Sequence, residues 1–205
     1  VAVPVGFLAA SIPFSYLMAR AVRDVDLRSV GTGTVSGTGL YEVAGFGPLA
    51  VAGVLEVAKG AVGPLLAGRG HPGVGAAATA AAVAGHNWSP WLGGAGGRGL
   101  SPAIGALAVT APAAAVTLLA GMAGGRLAGE TAIGSLIGDV VAVPVAAKLH
   151  GRPAMGATVA AVAVMVAKRL AGNRPLGSSP RRAYLWRMLL DRDTRKAPVT
   201  AVRAG

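Results

Sequence analysis

DLRSVGTGTVSGTGLYEVAG, residues 26–45, is a polar, glycine-dense stretch set between two long apolar runs. Within it Gly31, Gly33, Gly37 and Gly39 alternate with Thr32, Thr34, Ser36 and Thr38. Glycine tolerates positive φ and has no Cβ to block the approach of an anion, so such a backbone can curl around a phosphate. The hydroxyls add donors. The same composition also suits a flexible polar connector between two helices, and the stretch alone leaves both readings open. What flanks it decides the fold. Ala2 to Met18 precedes it and about Phe46 to Gly68 follows it, each of roughly the length that crosses a bilayer.

Further apolar runs follow at about Gly73 to Ala84, Pro102 to Gly121, Thr131 to Ala147 and Pro153 to Ala167. The 205 residues are 53% apolar and only 13% charged, with a mean hydropathy of +0.60. Soluble domains carry about 25% charged residues. The pattern predicts an all-α fold: a polytopic transmembrane helix bundle of six to seven spans with glycine-rich cytoplasmic loops. Residues 1–168 read as the integral membrane domain and 169–205 as a basic cytoplasmic tail. Abundant Gly and Ala suit helices that approach closely in a bilayer.

There is no cysteine, which removes disulfides, thiol nucleophiles and thiolate metal sites. The formal charge of +11 raises nucleic acid as a partner, but ten of the nineteen Lys and Arg residues lie from Lys168 onward, beside apolar spans. A membrane surface accounts for them more simply, and no nucleic acid is expected. Arg20, Arg23 and Arg28 come after the first apolar run, unlike the order in a signal peptide. The first run is therefore read as a retained span whose C-terminal end is cytoplasmic. The tail is placed on the same side. Six spans would separate the two, so one run hides a break or a glycine loop is re-entrant.

Candidate site residues are scattered through these segments. Ser11 precedes a proline break at Pro13, which equally suits a simple local kink. Glu56 and Lys59, at i and i+3 inside a span, share a helical face and can pair or contact substrate. His86 and Arg98 flank the second glycine-rich loop, Gly93–Gly99. His86 has a free pKa near neutrality and suits acid–base work, although a structural histidine is the commoner case. Arg98 in a glycine bed suits an anion, or serves as a positive anchor. Asp139 is an isolated acid within a span and needs a partner or water. The three histidines are scattered and carboxylates are few, so no metal site is implied.

Taken together, these motifs resemble the PlsY-type family of membrane acyltransferases from about residue 9 to residue 190. Ser11-Ile-Pro13-Phe resembles the family's SIP opening. Asp26-Leu-Arg28 with Gly31-Thr-Gly33 resembles its D-[IV]-R-x-x-G-S-G-N-x-G-A-T-N loop. Glu56-Val-Ala-Lys59-Gly60 is similar to its D-x-x-K-G segment. Gly85-His86-Asn87 and Gly96-Gly97-Arg98-Gly99 are similar to its G-H-x-[FY]-P and G-G-K-G pair. Gly134-Ser135-Leu136 resembles its S-L-A-S span, and Arg181-Arg182-Ala-Tyr184-Leu-Trp-Arg187 its tail H-R-x-N-I-x-R.

The resemblance implies transfer of a fatty acyl group from acyl phosphate to glycerol 3-phosphate, giving lysophosphatidate for phospholipid synthesis in a multi-pass bacterial cell-membrane enzyme. It implies those two substrates and membrane lipid as partners, and no cofactor. Carried over residue by residue, it points to Ser11, Lys59, His86 and Arg98 as catalytic. It points to Arg28, Gly31, Thr32, Gly33, Thr34, Thr38, Gly97, Gly99 and Arg181 as phosphate-binding. Thr34 stands at a family Asn, Glu42 at an Arg, Arg98 at a Lys, and Arg181 and Tyr184 at the tail's His and Asn. Alternatives are a non-catalytic member, a different acceptor, or a small transporter using Glu56, Lys59 and Asp139. Two glycine loops on one side speak against the transporter.

Overall fold

The computed structural model describes residues 1–173 and 180–191, so 174–179 and 192–205 of the expected tail lie outside the described residues. Those described form helices and no strand. They are α1 (Ala2–Ser11), α2 (Phe14–Arg23), α3 (Gly37–Ala44), α4 (Phe46–Ala67), α5 (Pro72–Asn87), α6 (Leu100–Thr110), α7 (Pro112–Leu127), α8 (Thr131–Ala171) and α9 (Pro180–Leu190). The all-α helix bundle read from the sequence is the fold. Three helical stretches are long and apolar enough to cross a membrane: Ala2–Arg23, Phe46–Ala67 and Thr131–Ala171. Their outward surfaces are apolar: Leu8, Val54 and Val140 are 56%, 69% and 67% exposed. So continuous an apolar exterior suits lipid rather than water.

Prolines set most of the breaks. Pro13 has no N–H to continue α1, and the chain leaves the helix at Ile12. Pro112 opens α7, a position where its missing donor costs nothing, and Ala111 before it is non-helical at φ −157°, ψ 70°. The run from Pro102 to Gly121 expected as one span is therefore two helices that meet at Ala111. Gly151, at φ 79°, breaks α8 into limbs 131–150 and 152–171. The Arg169 guanidinium donates to the Ala132 carbonyl at 3.3 Å. A straight helix would hold those residues about 55 Å apart, so α8 doubles back at Gly151.

These turns resolve the parity problem. Among the described residues the apolar helical segments number seven: α1 with α2, then α4, α5, α6, α7 and the two limbs of α8. One face of the bundle gathers the 24–36 loop, the 93–99 loop, the end of α8 and α9. Val35 N–H donates to the Gly96 carbonyl at 3.1 Å, and Asn173 Nδ2 reaches Gly33 O and Gly96 O at 3.2 and 2.9 Å. Arg126, at the end of α7, lies 5.4 Å from the Tyr41 ring on the same face.

Absence of side chains sets how closely the helices approach. A Cβ on Gly60 would strike the backbone of Pro102, and one on Gly105 the Val57 carbonyl, so α4 and α6 meet backbone to backbone. The main core lies between α5, α6, α7 and α8, around Val83, Leu107, Leu118 and Met165. A second cluster, around Leu27, Val35, Leu40 and Leu92, seats the first glycine loop on the bundle.

Candidate functional site

Beneath the two loops lies a buried ionic network. Lys59 Nζ is 2.6 Å from Glu56 Oε2, with the two side chains 4% and 3% exposed. The i, i+3 pairing read from the sequence is formed. His86, from α5, joins it: Nδ1 is 3.0 Å from the same carboxylate oxygen, an arrangement satisfied when Nδ1 carries the proton. Glu56 Oε1 accepts the Ser15 N–H at 2.9 Å, and Lys59 Nζ donates to the Ile12 carbonyl at 2.5 Å. Those are the donor and acceptor freed by the proline break between α1 and α2. The pair therefore satisfies a helix interruption that lipid could not.

The same break is pinned from the other side. Ser89 Oγ donates to the Ser11 carbonyl at 2.7 Å. Ser11 Oγ donates to Leu8 O at 2.7 Å and accepts from Trp91 Nε1 at 2.9 Å, so its hydroxyl is fully engaged and 1% exposed.

His86 carries the network up to the second loop. Gly97 N–H donates to the His86 carbonyl at 3.3 Å, and the imidazole Nε2 faces the α-carbon of Gly97. Any side chain at Gly97 would strike that ring and the Val35 carbonyl. Gly99 is at φ 82°, a backbone that L side chains seldom adopt, and carries the chain sharply into α6.

In the first loop, Gly31 and Gly33 take positive φ, 52° and 72°, and Thr32 Oγ1 donates to Thr34 Oγ1 at 2.9 Å. Ser36 caps α3 by accepting the Gly39 N–H at 3.2 Å, while Thr38 and Glu42 are exposed on that helix. Arg28 forms a two-pronged contact with Asp26, 2.7 Å at its shortest, and stacks on Tyr16 at 5.4 Å. That hydrogen bonding holds the Asp26 carboxyl below its usual range.

Arg98 is also engaged. Its Nε lies 2.6 Å from Asp191 Oδ1, just past α9, and Nη1 donates to the Lys168 carbonyl at 3.0 Å. Arg181 sits exposed on α9, whereas Arg187 of the same helix is buried and donates to the Leu170 and Ala171 carbonyls at the end of α8.

Four residues of the network were not among the sequence candidates for site roles: Asn173, Lys168, Asn87 and Asp191. Asn173 clasps both loops. Lys168, 1% exposed, lies 5.1 Å from the Trp88 ring and reaches Gly94 O at 3.5 Å. Asn87 donates to Val164 O at 3.3 Å, and its Oδ1 is buried without a partner. Asp139, 2% exposed, also has an oxygen without a hydrogen-bond partner.

The glycerol-3-phosphate acyltransferase family profile matches residues 1–174. The chain belongs to that family. Its relatives include the glycerol-3-phosphate acyltransferase of Halalkalibacterium halodurans, 36% identical over 135 residues, which cover 64% of this chain and 61% of that protein. The one from Anaeromyxobacter dehalogenans strain 2CP-C is 41% identical over 148 residues, 69% of this chain and 74% of that protein. The chain spans 52% of the length of the Shouchella clausii relative. Among solved structures, the integral membrane glycerol 3-phosphate acyltransferase PlsY, in its glycerol 3-phosphate form, superposes with a TM-score of 0.73 at 21% identity. That match covers 82% of this chain and 86% of that one and establishes a common fold. The family match ends at 174, ahead of the Arg181–Arg187 segment likened to the family's tail motif.

Proposed function

We propose that this acyltransferase-family chain moves a fatty acyl group from acyl phosphate to glycerol 3-phosphate, releasing lysophosphatidate and inorganic phosphate at the cytoplasmic face of a bacterial cell membrane. One observation carries the reading. The two glycine loops of the family resemblance, far apart in sequence, are hydrogen-bonded to each other and to Asn173 directly above the Glu56–Lys59–His86 network. The charge distribution supports the orientation. Arg20, Arg23, Arg28, Arg98, Arg126, Lys168, Arg169 and α9 lie at the loop face, against Arg69, Lys148 and Arg152 at the other.

In the reaction, the acceptor hydroxyl oxygen bonds to the acyl carbonyl carbon. The carbon–oxygen bond to phosphate breaks, phosphate leaves with the electron pair, and the hydroxyl proton passes to it or to solvent. An acyl phosphate is already activated, so the protein has to orient the hydroxyl and neutralise phosphate charge. We assign phosphate contact to the backbone of Gly31, Gly33, Gly97 and Gly99, the hydroxyls of Thr32, Thr34 and Thr38, and the cations Arg98, Arg28 and Arg181. Lys59, His86 and Ser11 set the geometry from beneath, with Glu56 orienting the histidine. Residues 1–168 form the membrane domain in this reading and 169–205 the basic tail.

Purified protein in lipid, supplied with acyl phosphate and labelled glycerol 3-phosphate, is expected to produce labelled lysophosphatidate. Folded protein that yields none refutes the reading. A second reading, a non-catalytic member that binds the substrates, is favoured by the pairing of Arg98 and Arg28 with carboxylates. Binding of glycerol 3-phosphate without turnover would identify it.

A further inference from the structure

We propose that Asp191 sets the substrate affinity of this site by occupying Arg98 as an internal carboxylate, which the phosphate of the substrate must displace. The inference rests on the acyltransferase reading above and adds to it a residue that lies beyond the family match.

The contact is direct and largely shielded. Arg98 Nε is 2.6 Å from Asp191 Oδ1, with side chains 13% and 22% exposed. Its Nη1 is taken by the Lys168 carbonyl, so the carboxylate occupies the guanidinium edge that a phosphate would use. The local charge balance demands an anion. Lys168 lies immediately beside Arg98, is 1% exposed, and forms no ion pair among the described residues. Two cations under a glycine loop would be poorly tolerated with nothing opposite them. In the structure Asp191 supplies that charge.

The carboxylate is delivered by a helix at the periphery of the bundle. Polar contacts with the end of α8 dock α9. Arg187 donates to Leu170 O and Ala171 O, at 3.0 and 2.6 Å, and Arg169 donates to Met188 O at 3.1 Å. Its apolar side chains Tyr184, Leu185 and Leu189 are exposed, and among its described side chains Ala183 is the one buried hydrophobic residue. A helix docked this way can move off more readily than one buried in the core. Asp191 sits at φ 55°, so the chain turns out of α9 at this residue and aims its side chain back at the loop.

Asn and Gly both accept that backbone conformation, which makes D191N and D191G mild for folding. Binding of glycerol 3-phosphate and of inorganic phosphate to the full chain in lipid nanodiscs, followed by calorimetry, tests the proposal. Both variants are expected to bind glycerol 3-phosphate about two- to fivefold tighter than wild type, the effect of removing one partly exposed ionic competitor. Inorganic phosphate should tighten in parallel. Equal affinities overturn the proposal. So does weaker binding, which would make Asp191 an orienting partner of Arg98; either result leaves the acyltransferase reading standing. Failure of wild type and variants alike to bind glycerol 3-phosphate overturns that reading, and the competition with it.

Discussion

Lys59→Met removes the ammonium that lies 2.6 Å from Glu56 Oε2 and donates to the Ile12 carbonyl, while keeping an apolar stem of similar length against Phe14. Two groups lose a partner. Glu56 keeps its bonds to Ser15 N–H and His86 but loses its cation, and the Ile12 carbonyl loses its donor where Pro13 can supply none. Removing one partner of a buried pair costs about 3–5 kcal/mol. That lowers the folded-to-unfolded ratio by more than about a hundredfold. Unfolding in lipid or detergent can be followed by tryptophan fluorescence, since Trp88 and Trp91 both touch the site. The double change Glu56→Gln with Lys59→Met leaves no uncompensated charge and should recover at least half of the lost stability. Lysophosphatidate formation should stay low, because His86 has lost the carboxylate that orients it. A Lys59→Met protein within about 1 kcal/mol of wild type, the scale of an exposed pair, would refute the reasoning. So would a double variant no more stable than the single one. Recovery of stability and activity together would show the pair to be structural only.

Gly97→Ala should abolish lysophosphatidate formation and lower thermal stability, because its methyl group would strike the His86 ring and the Val35 carbonyl; normal turnover would show that the loop moves freely. With no natural cysteine in the chain, single cysteines report topology cleanly. In intact cells an impermeant thiol reagent should label Gly70→Cys and spare Ser29→Cys and Gly93→Cys. Labelling of either loop position would defeat the cytoplasmic placement. Glu42→Arg reverses a charge on the exposed face of α3, next to the Tyr41–Arg126 contact, and should lower KM for glycerol 3-phosphate about two- to fivefold. An unchanged KM would show that Glu42 points away from the acceptor.

The helices and the ion pair on α4 were legible because their signals are local. Apolar runs mark the segments, and i, i+3 spacing alone put Glu56 and Lys59 on one face. The break at Ala111 was legible in principle, since Pro112 inside an apolar run is the usual start of a helix. Hydropathy summed across it hid the turn. His86 could be named from the sequence but not joined to Glu56, because 30 residues and a helix boundary separate them and no periodicity spans that gap. Asn173 left a weaker trace, as the residue after the glycine that ends the last apolar run. In space Asn173 bridges the Gly33 and Gly96 carbonyls, while Tyr184 is exposed on α9.

The same contrast explains why the site forms where it does. Both glycine loops leave backbone carbonyls that no regular element can satisfy, at Gly33 and at Gly96. Water reaches them poorly, since Gly33, Thr34, Val35, Gly96 and Gly97 are buried. One primary amide, presented by the residue that follows α8, has two N–H donors and meets both carbonyls. Asn173 can do so only if the last helix ends at the loop face, which requires an even number of passes between the second loop and residue 173. The turns at Ala111 and Gly151, with the α7–α8 connection at Gly129–Glu130, supply four: α6, α7 and the two limbs of α8. The positive-inside pattern demands the same parity, because it places Arg20–Arg28 and the Lys168 region on one side. Charge distribution and hydrogen-bond satisfaction are independent constraints, and they select the same topology.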